Sequence, residues 1–131
     1  MNHIPAFVES IQSVANLNIV TFHANKHLLK MMSLDLSAEI QMGTQVLLTC
    51  KPTNIAIAKN ISGELSYSNQ LEVTILSINE GELLSVLELK CDEFILESII
   101  TRDSHKRMKL QKNDTVLALI KSSDLSIEKI L

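Results

Sequence analysis

The chain has 131 residues, enough for one ordinary domain or two small ones, and a net charge of −3. Hydrophobic residues make up 46% but aromatic ones only 3%, with no Trp, so a core has to be built from Ile, Leu, Val and Met. The acidic balance and the shortage of stacking rings argue against nucleic acid as a direct partner, since DNA-binding domains carry a basic footprint and single strands stack on aromatic rings.

The first ten residues, MNHIPAFVES, lack the basic start and apolar stretch of a signal peptide, and no apolar run approaches the length of a membrane span. A cytoplasmic protein with no membrane partner is expected. Residues 8–14, 17–23 and 27–32 read as short strands, followed by a polar turn over 35–39. Residues 46–58 resume an extended pattern that Pro52 interrupts. The stretch 60–68, with Gly63 and several serines, suits a connector. Residues 71–78, LEVTILSI, alternate and are rich in β-branched side chains; Asn79-Glu80-Gly81-Glu82 supplies turn chemistry, and 83–89 completes a hairpin. Another strand is expected over 94–101, a single helical turn over 103–108, a turn at 112–114, and a strand at 116–121 with apolar residues on both faces.

The second half repeats the first. Val46, Leu47, Lys51, Ile57 and Lys59 recur in order as Val116, Leu117, Lys121, Ile127 and Lys129. Ile11-Gln12-Ser13-Val14 is matched to Ile75-Leu76-Ser77-Ile78, so the offset grows and the second copy carries extra residues in its middle. A unit of about 60 residues is too long for a solenoid repeat and suits a small β-barrel of four or five strands. The expected architecture is all-β, two tandem OB-like small barrels over residues 1–60 and 61–131, each with a short helical turn.

Ser66-Tyr67-Ser68-Asn69-Gln70-Leu71, the Glu80-Gly81 hairpin, Thr101-Arg102-Asp103-Ser104 and Lys121-Ser122-Ser123 occur in an order that resembles the Mop or TOBE family of molybdate- and tungstate-binding domains. The pair of copies resembles the tandem, di-Mop form of that family. The resemblance implies an OB-like barrel per copy and a tetrahedral oxyanion, molybdate or tungstate, held at subunit interfaces of a homo-oligomer, a trimer or a dimer. It implies oxyanion contacts from Ser66, Ser68, Asn69, Thr101, Ser104, Lys121, Ser122 and Ser123, with Lys51 as the first copy's less secure counterpart. Ser68 stands where the family usually has Arg, and the first copy is expected to lack the Ser-Ala-Arg-Asn start.

These residue types suit the ligand chemically. A dianion offers only acceptor oxygens, so its site needs hydroxyl, amide, ammonium and backbone N–H donors. Thr101 to Ser104 before a helical turn is expected to present free N–H groups, with Asp103 and Asp124 turned away from the anion. Cys50 and Cys91 have no metal-type spacing and read as buried small residues; His23 and His27 read as ordinary surface histidines, so no directly coordinated metal is expected. Met31, Met32, Met42 and Met108 read as core or interface filler. No nucleophile–base order or phosphate loop stands out, so a binding protein that stores, buffers or senses the oxyanion is expected rather than an enzyme. A ligand-sensing or assembly module of a transcription regulator or transporter ATPase, and a structural dimerisation domain, stay open as alternatives.

Overall fold

Ile4, Ala6 and Val8 are buried while His3, Pro5 and Phe7 between them are exposed, the period-two pattern of a strand with one face on a core. The same alternation recurs along the chain in a computed structural model that describes residues 1–131. Ten strands follow: β1 (Asn2–Val14), β2 (Leu17–Ala24), β3 (His27–Leu34), β4 (Gln45–Cys50), β5 (Ala56–Ala58), β6 (Asn69–Glu80), β7 (Leu84–Cys91), β8 (Phe94–Thr101), β9 (Thr115–Ile120) and β10 (Ser126–Ile130). Short 3-10 turns at Pro52–Asn54 and Ser122–Asp124 follow β4 and β9, and one α-helix, α1 (Arg102–Arg107), follows β8. The protein is all-β, as its sequence pattern implies. No helix is long and apolar enough to cross a membrane.

The strands form two antiparallel five-stranded sheets, ordered β10-β4-β1-β2-β3 and β5-β9-β6-β7-β8. Each sheet therefore takes its last strand from the other copy. β5 pairs with β9 through Ala56–Leu119 and Ala58–Leu117, and β10 pairs with β4 through Ser126–Thr49 and Ile130–Val46. A division at residue 60 is expected from the repeat, but the hydrogen bonding crosses it. A single cluster of 26 buried residues runs through both copies, from Ile4 and Phe22 to Leu96 and Leu125, so the pair packs around one core.

Backbone landmarks fix how the copies correspond. Val8 and Ile75 each precede a bulge, and each exchanges hydrogen bonds with the loop before its copy's fourth strand: Val8 with Thr44 and Gly43, Ile75 with Asp114 and Asn113. The offset there is 67 residues (75 − 8), and between β4 and β9 it is 70 (115 − 45). The three extra residues (70 − 67) lie between β8 and β9, where α1 forms. The match of Ile11–Val14 to Ile75–Ile78 is corrected: its offset of 64 (75 − 11) is three short. A four-residue identity in alternating strands does not set register; the bulge and the loop hydrogen bonds do.

Two asparagines tie the barrels together. Asn69, 1% exposed, accepts from Lys30 N–H (2.7 Å) and donates to Lys30 C=O (2.9 Å). At the equivalent place in the first copy, Asn2, 3% exposed, accepts from Glu97 N–H (2.7 Å) and donates to Glu97 C=O (2.9 Å). Each carboxamide acts as an extra strand residue against the other barrel's β3 or β8. The second barrel is further fastened by the buried Ser98 hydroxyl, which donates to Ile55 C=O at 2.7 Å. Met31 takes Ser98's place in the first barrel and packs in the shared core with Leu125.

Candidate functional site

Two strand ends and one turn converge beside the exchanged strand β5. β8 ends at Thr101, which caps α1, and β9 leads into Lys121, which precedes the Ser122–Asp124 turn. The turn of the first copy, Pro52–Asn54, packs against β8 because β5 continues into the second sheet. Between them lies an open cleft of about 520 Å³. Its polar lining is Thr53, Asn54, Tyr67, Thr101, Ser104, Lys121, Ser123 and Asp124, over a floor of Ile55, Ala56, Ile99 and Ile100.

Thr101 and Ser104 are held as a pair. The Thr101 hydroxyl donates to Ser104 Oγ (3.0 Å) and accepts from Ser104 N–H (3.1 Å), and Arg107 Nη2 donates to Ser104 Oγ (3.1 Å). At this helix start fewer N–H groups are free than expected. Arg102 N–H donates to Leu83 C=O (2.8 Å) and Ser104 N–H is taken by the cap, so side-chain donors dominate here. α1 itself is seated by Glu80, which reaches Lys106 (2.6 Å), Arg102 (3.2 Å) and His105 (3.6 Å). The hydrogen bond from Lys106 holds the Glu80 carboxyl below its usual range, helped by the neighbouring positive charges and opposed by burial. Beneath it, His105 Nδ1 and the buried Ser85 hydroxyl lie 2.9 Å apart.

Of the residues expected to bind an oxyanion, Thr101, Ser104, Lys121 and Ser123 share this cleft. Ser66, Ser68, Ser122 and Lys51 lie outside its lining. Tyr67 is half-buried and faces the cleft, while Ser66 and Ser68 on either side of it are exposed. Asn69 is corrected from ligand to inter-barrel tie, because both ends of its carboxamide are engaged by the Lys30 backbone. The first copy keeps this position as Asn2, so the start thought missing there is partly present. The expectation for Asp124 is also corrected: it lines the cleft, whereas Asp103 points outward near Arg107 (3.9 Å).

Sequence reasoning missed Thr53, Asn54, Tyr67 and Arg107. Alternation around Ser66 and Ser68 could have pointed to Tyr67; nothing local marks Thr53 and Asn54, which reach the cleft through strand exchange. The equivalent region of the first barrel differs. A groove of about 670 Å³ there sets Met31, Met32, Leu34, Leu36, Leu125 and Ile127 beside Ser33, Asp35, Ser37, Ser123, Ser126 and Lys129, with Leu34 in the place of Thr101 (101 − 67 = 34). Cys50 and Cys91 are free and buried, as expected, and burial pushes each thiol up to about 11. The reading of His23 and His27 as surface residues is corrected: both are half-buried, and His27 packs against Asp92 and Cys91. Met31 is in the core, Met108 packs against it, and Met32 and Met42 are exposed.

The cleft thus offers hydroxyls, an amide, an ammonium and one carboxylate, a set weighted towards donors. Residues 65–127 match the family described as TOBE domain. The fold superposes on that of the cytoplasmic molybdate-binding protein ModG, in a form with molybdate bound, with a TM-score of 0.90 at 19% identity over 96% of this chain and 94% of that chain. That likeness shows the two-barrel, OB-like architecture. A molybdate-binding protein from Sporomusa ovata is 30% identical over 46% of this chain and 90% of its own, with a TM-score of 0.45. No curated protein matches the chain by sequence.

Proposed function

We propose that this chain, whose residues 65–127 match the TOBE domain family, binds molybdate or tungstate reversibly in the cleft between Thr101, Ser104, Lys121 and Ser123. The observation that carries this reading is the convergence of those four donors, from the segments 101–104 and 121–123, on one open cleft. Lys121 supplies the charge-assisted hydrogen bond, the strongest single contact, and the hydroxyls of Thr101, Ser104, Ser123 and Tyr67 supply neutral ones. Selection against sulfate rests on cavity size, since charge and shape are alike.

One chain does not complete the charge balance. Lys121 and Asp124 cancel within the lining, so a dianion needs further donors. Thr101, Lys121 and Ser123 are exposed at the open side, where a second copy can add them. Next to the cleft, Ile61 and Leu65 are 46% and 37% exposed on a groove that also includes Ser104 and Ile100. Apolar surface of this kind is covered in an oligomer. The proposal is therefore a homo-oligomer, a trimer or dimer, with the oxyanion at subunit interfaces. The second repeat unit, 61–131, supplies most of the donors, and the first, 1–60, lends Thr53 and Asn54. The protein stores, buffers or senses the oxyanion in the cytoplasm and carries out no chemistry on it.

Calorimetric titration of the full chain with molybdate, tungstate and sulfate tests the proposal. Saturable heat with the first two is expected, and Lys121→Ala weakens it about 10- to 100-fold, the loss of one hydrogen bond to a charged group. Neither heat nor a thermal shift with any of the three anions overturns it.

A further inference from the structure

The two barrels also meet at a pair of hairpin tips away from the oxyanion cleft. His27 opens β3 in the first copy; Cys91 closes β7 in the second, and Asp92 starts the turn that follows. His27 Nε2 lies 2.6 Å from Asp92 Oδ2 and 3.5 Å from Cys91 Sγ, and the three atoms all fall within 4.8 Å of one another. Asp92 Oδ2 is buried, and its polar neighbour is His27 Nε2 at ion-pair distance.

From this cluster we propose that His27 Nε2, Cys91 Sγ and Asp92 Oδ2 form a binding site for a divalent transition-metal ion of the zinc type. An imidazole, a thiolate and a carboxylate select zinc, cobalt or a similar ion over magnesium and calcium, which take oxygen ligands. Around a tetrahedral zinc-type centre, with M–N about 2.0 Å and M–S about 2.3 Å, nitrogen and sulfur stand about 3.5 Å apart. That is the separation already present between Nε2 and Sγ. Nitrogen and carboxylate oxygen stand about 3.3 Å apart in the same geometry, so the His27–Asp92 contact opens by roughly 0.7 Å as the ion enters. The ion takes the place of the direct His27–Asp92 contact, and the Cys91 thiol releases its proton to solvent.

The surroundings suit such a site. The side chains of His27 and Asp92 are 22% and 23% exposed, which leaves an entry path and an open fourth position for water. Phe94 meets the His27 ring edge-on, with centroids 6.5 Å apart, and limits its rotation. Lys26 sits at the rim, 3.7 Å from Asp92 Oδ1, on a side chain that is 79% exposed and free to swing away. The repeat supplies an internal contrast. At the common offset of 67 residues, Phe94 stands for His27, Ala24 for Cys91 and Asn25 for Asp92, so the related hairpin tips have no ligand set. One ion per chain follows, joining the two barrels.

Titration of the metal-free full chain with Co2+ reads this directly. A thiolate-to-cobalt charge-transfer band and tetrahedral d–d bands are expected to saturate at one equivalent and to disappear on adding Zn2+. Cys91→Ser abolishes the charge-transfer band, while Cys50→Ser, at a buried thiol outside the cluster, keeps it. His27→Gln and Asp92→Asn weaken Co2+ binding by at least about tenfold. No charge-transfer band in excess Co2+, or a band that survives Cys91→Ser, overturns the proposal. Should Cys91→Ser fail to fold, unchanged Co2+ affinity in folded Asp92→Asn and His27→Gln overturns it equally. Molybdate binding is unaffected in either outcome, so the two proposals stand or fall separately.

Discussion

Replacing Asn69 with Ala separates two roles for one residue. As an inter-barrel tie, its carboxamide makes two hydrogen bonds to the Lys30 backbone, at 2.7 and 2.9 Å, and the side chain is 1% exposed. Each bond contributes about 1 kcal/mol net. Truncation also leaves Lys30 N–H and C=O without their partner; because the Lys30 side chain is exposed and water can approach, that adds only about 1 kcal/mol, the low end for stranded groups. The sum is about 3 kcal/mol, which for a chain of this size lowers the melting temperature by about 10 °C. Asn2→Ala breaks the equivalent tie to Glu97 and should have a similar effect. Both variants would be followed by thermal melting without ligand and by molybdate titration. A melt of Asn69→Ala within about 2 °C of the parent, combined with lost oxyanion affinity, would refute the tie and return Asn69 to the binding set.

Asp124→Asn removes the one carboxylate from the cleft lining and should raise affinity for molybdate roughly fivefold, equal to about 1 kcal/mol; an unchanged or lower affinity in calorimetry counts against the cleft as the anion site. Ser98→Ala strips the buried donor from Ile55 C=O and should cost about 2 kcal/mol in chemical denaturation, with no change in m-value. Glu80 has a folded pKa below its unfolded value, so the folded state gives up its proton more readily than the unfolded chain. Its contribution is therefore complete above the ordinary carboxylate value, about 4.3, and is lost as pH falls through the lower folded value. The melting-temperature gap between parent and Glu80→Gln should be widest near neutral pH and close on acidification; a gap that widens in acid contradicts the seat of α1 described above.

The duplicated all-β plan is legible in the chain because period-two burial repeats in both copies and Val-Leu-x-x-x-Lys marks the fourth strand of each. Strand exchange is not legible. β5 and β10 are short, and nothing in Ala56-Ile57-Ala58 or Ser126-Ile127 distinguishes pairing with the near sheet from pairing with the far one. The same limit explains what was missed at the cleft. Thr101, Ser104, Lys121 and Ser123 sit at the ends of elements that the pattern marks, whereas Thr53 and Asn54 arrive only through the exchanged strand. Asn69 shows the opposite error. A polar residue at a strand start invites a ligand role, and only the backbone of Lys30, 39 residues away, shows how its carboxamide is used. His27 and Cys91 likewise carry no spacing signal, because they come from different copies and meet only when the hairpin tips pack together.

The most direct test of the central claim is the position of a bound anion. Crystals grown with tungstate and measured at a tungsten absorption edge should show an anomalous peak within hydrogen-bonding reach of Thr101, Ser104, Lys121 and Ser123. A peak in the groove beside Leu34 and Lys129, out of reach of Thr101 and Lys121, or none at saturating tungstate, would contradict it.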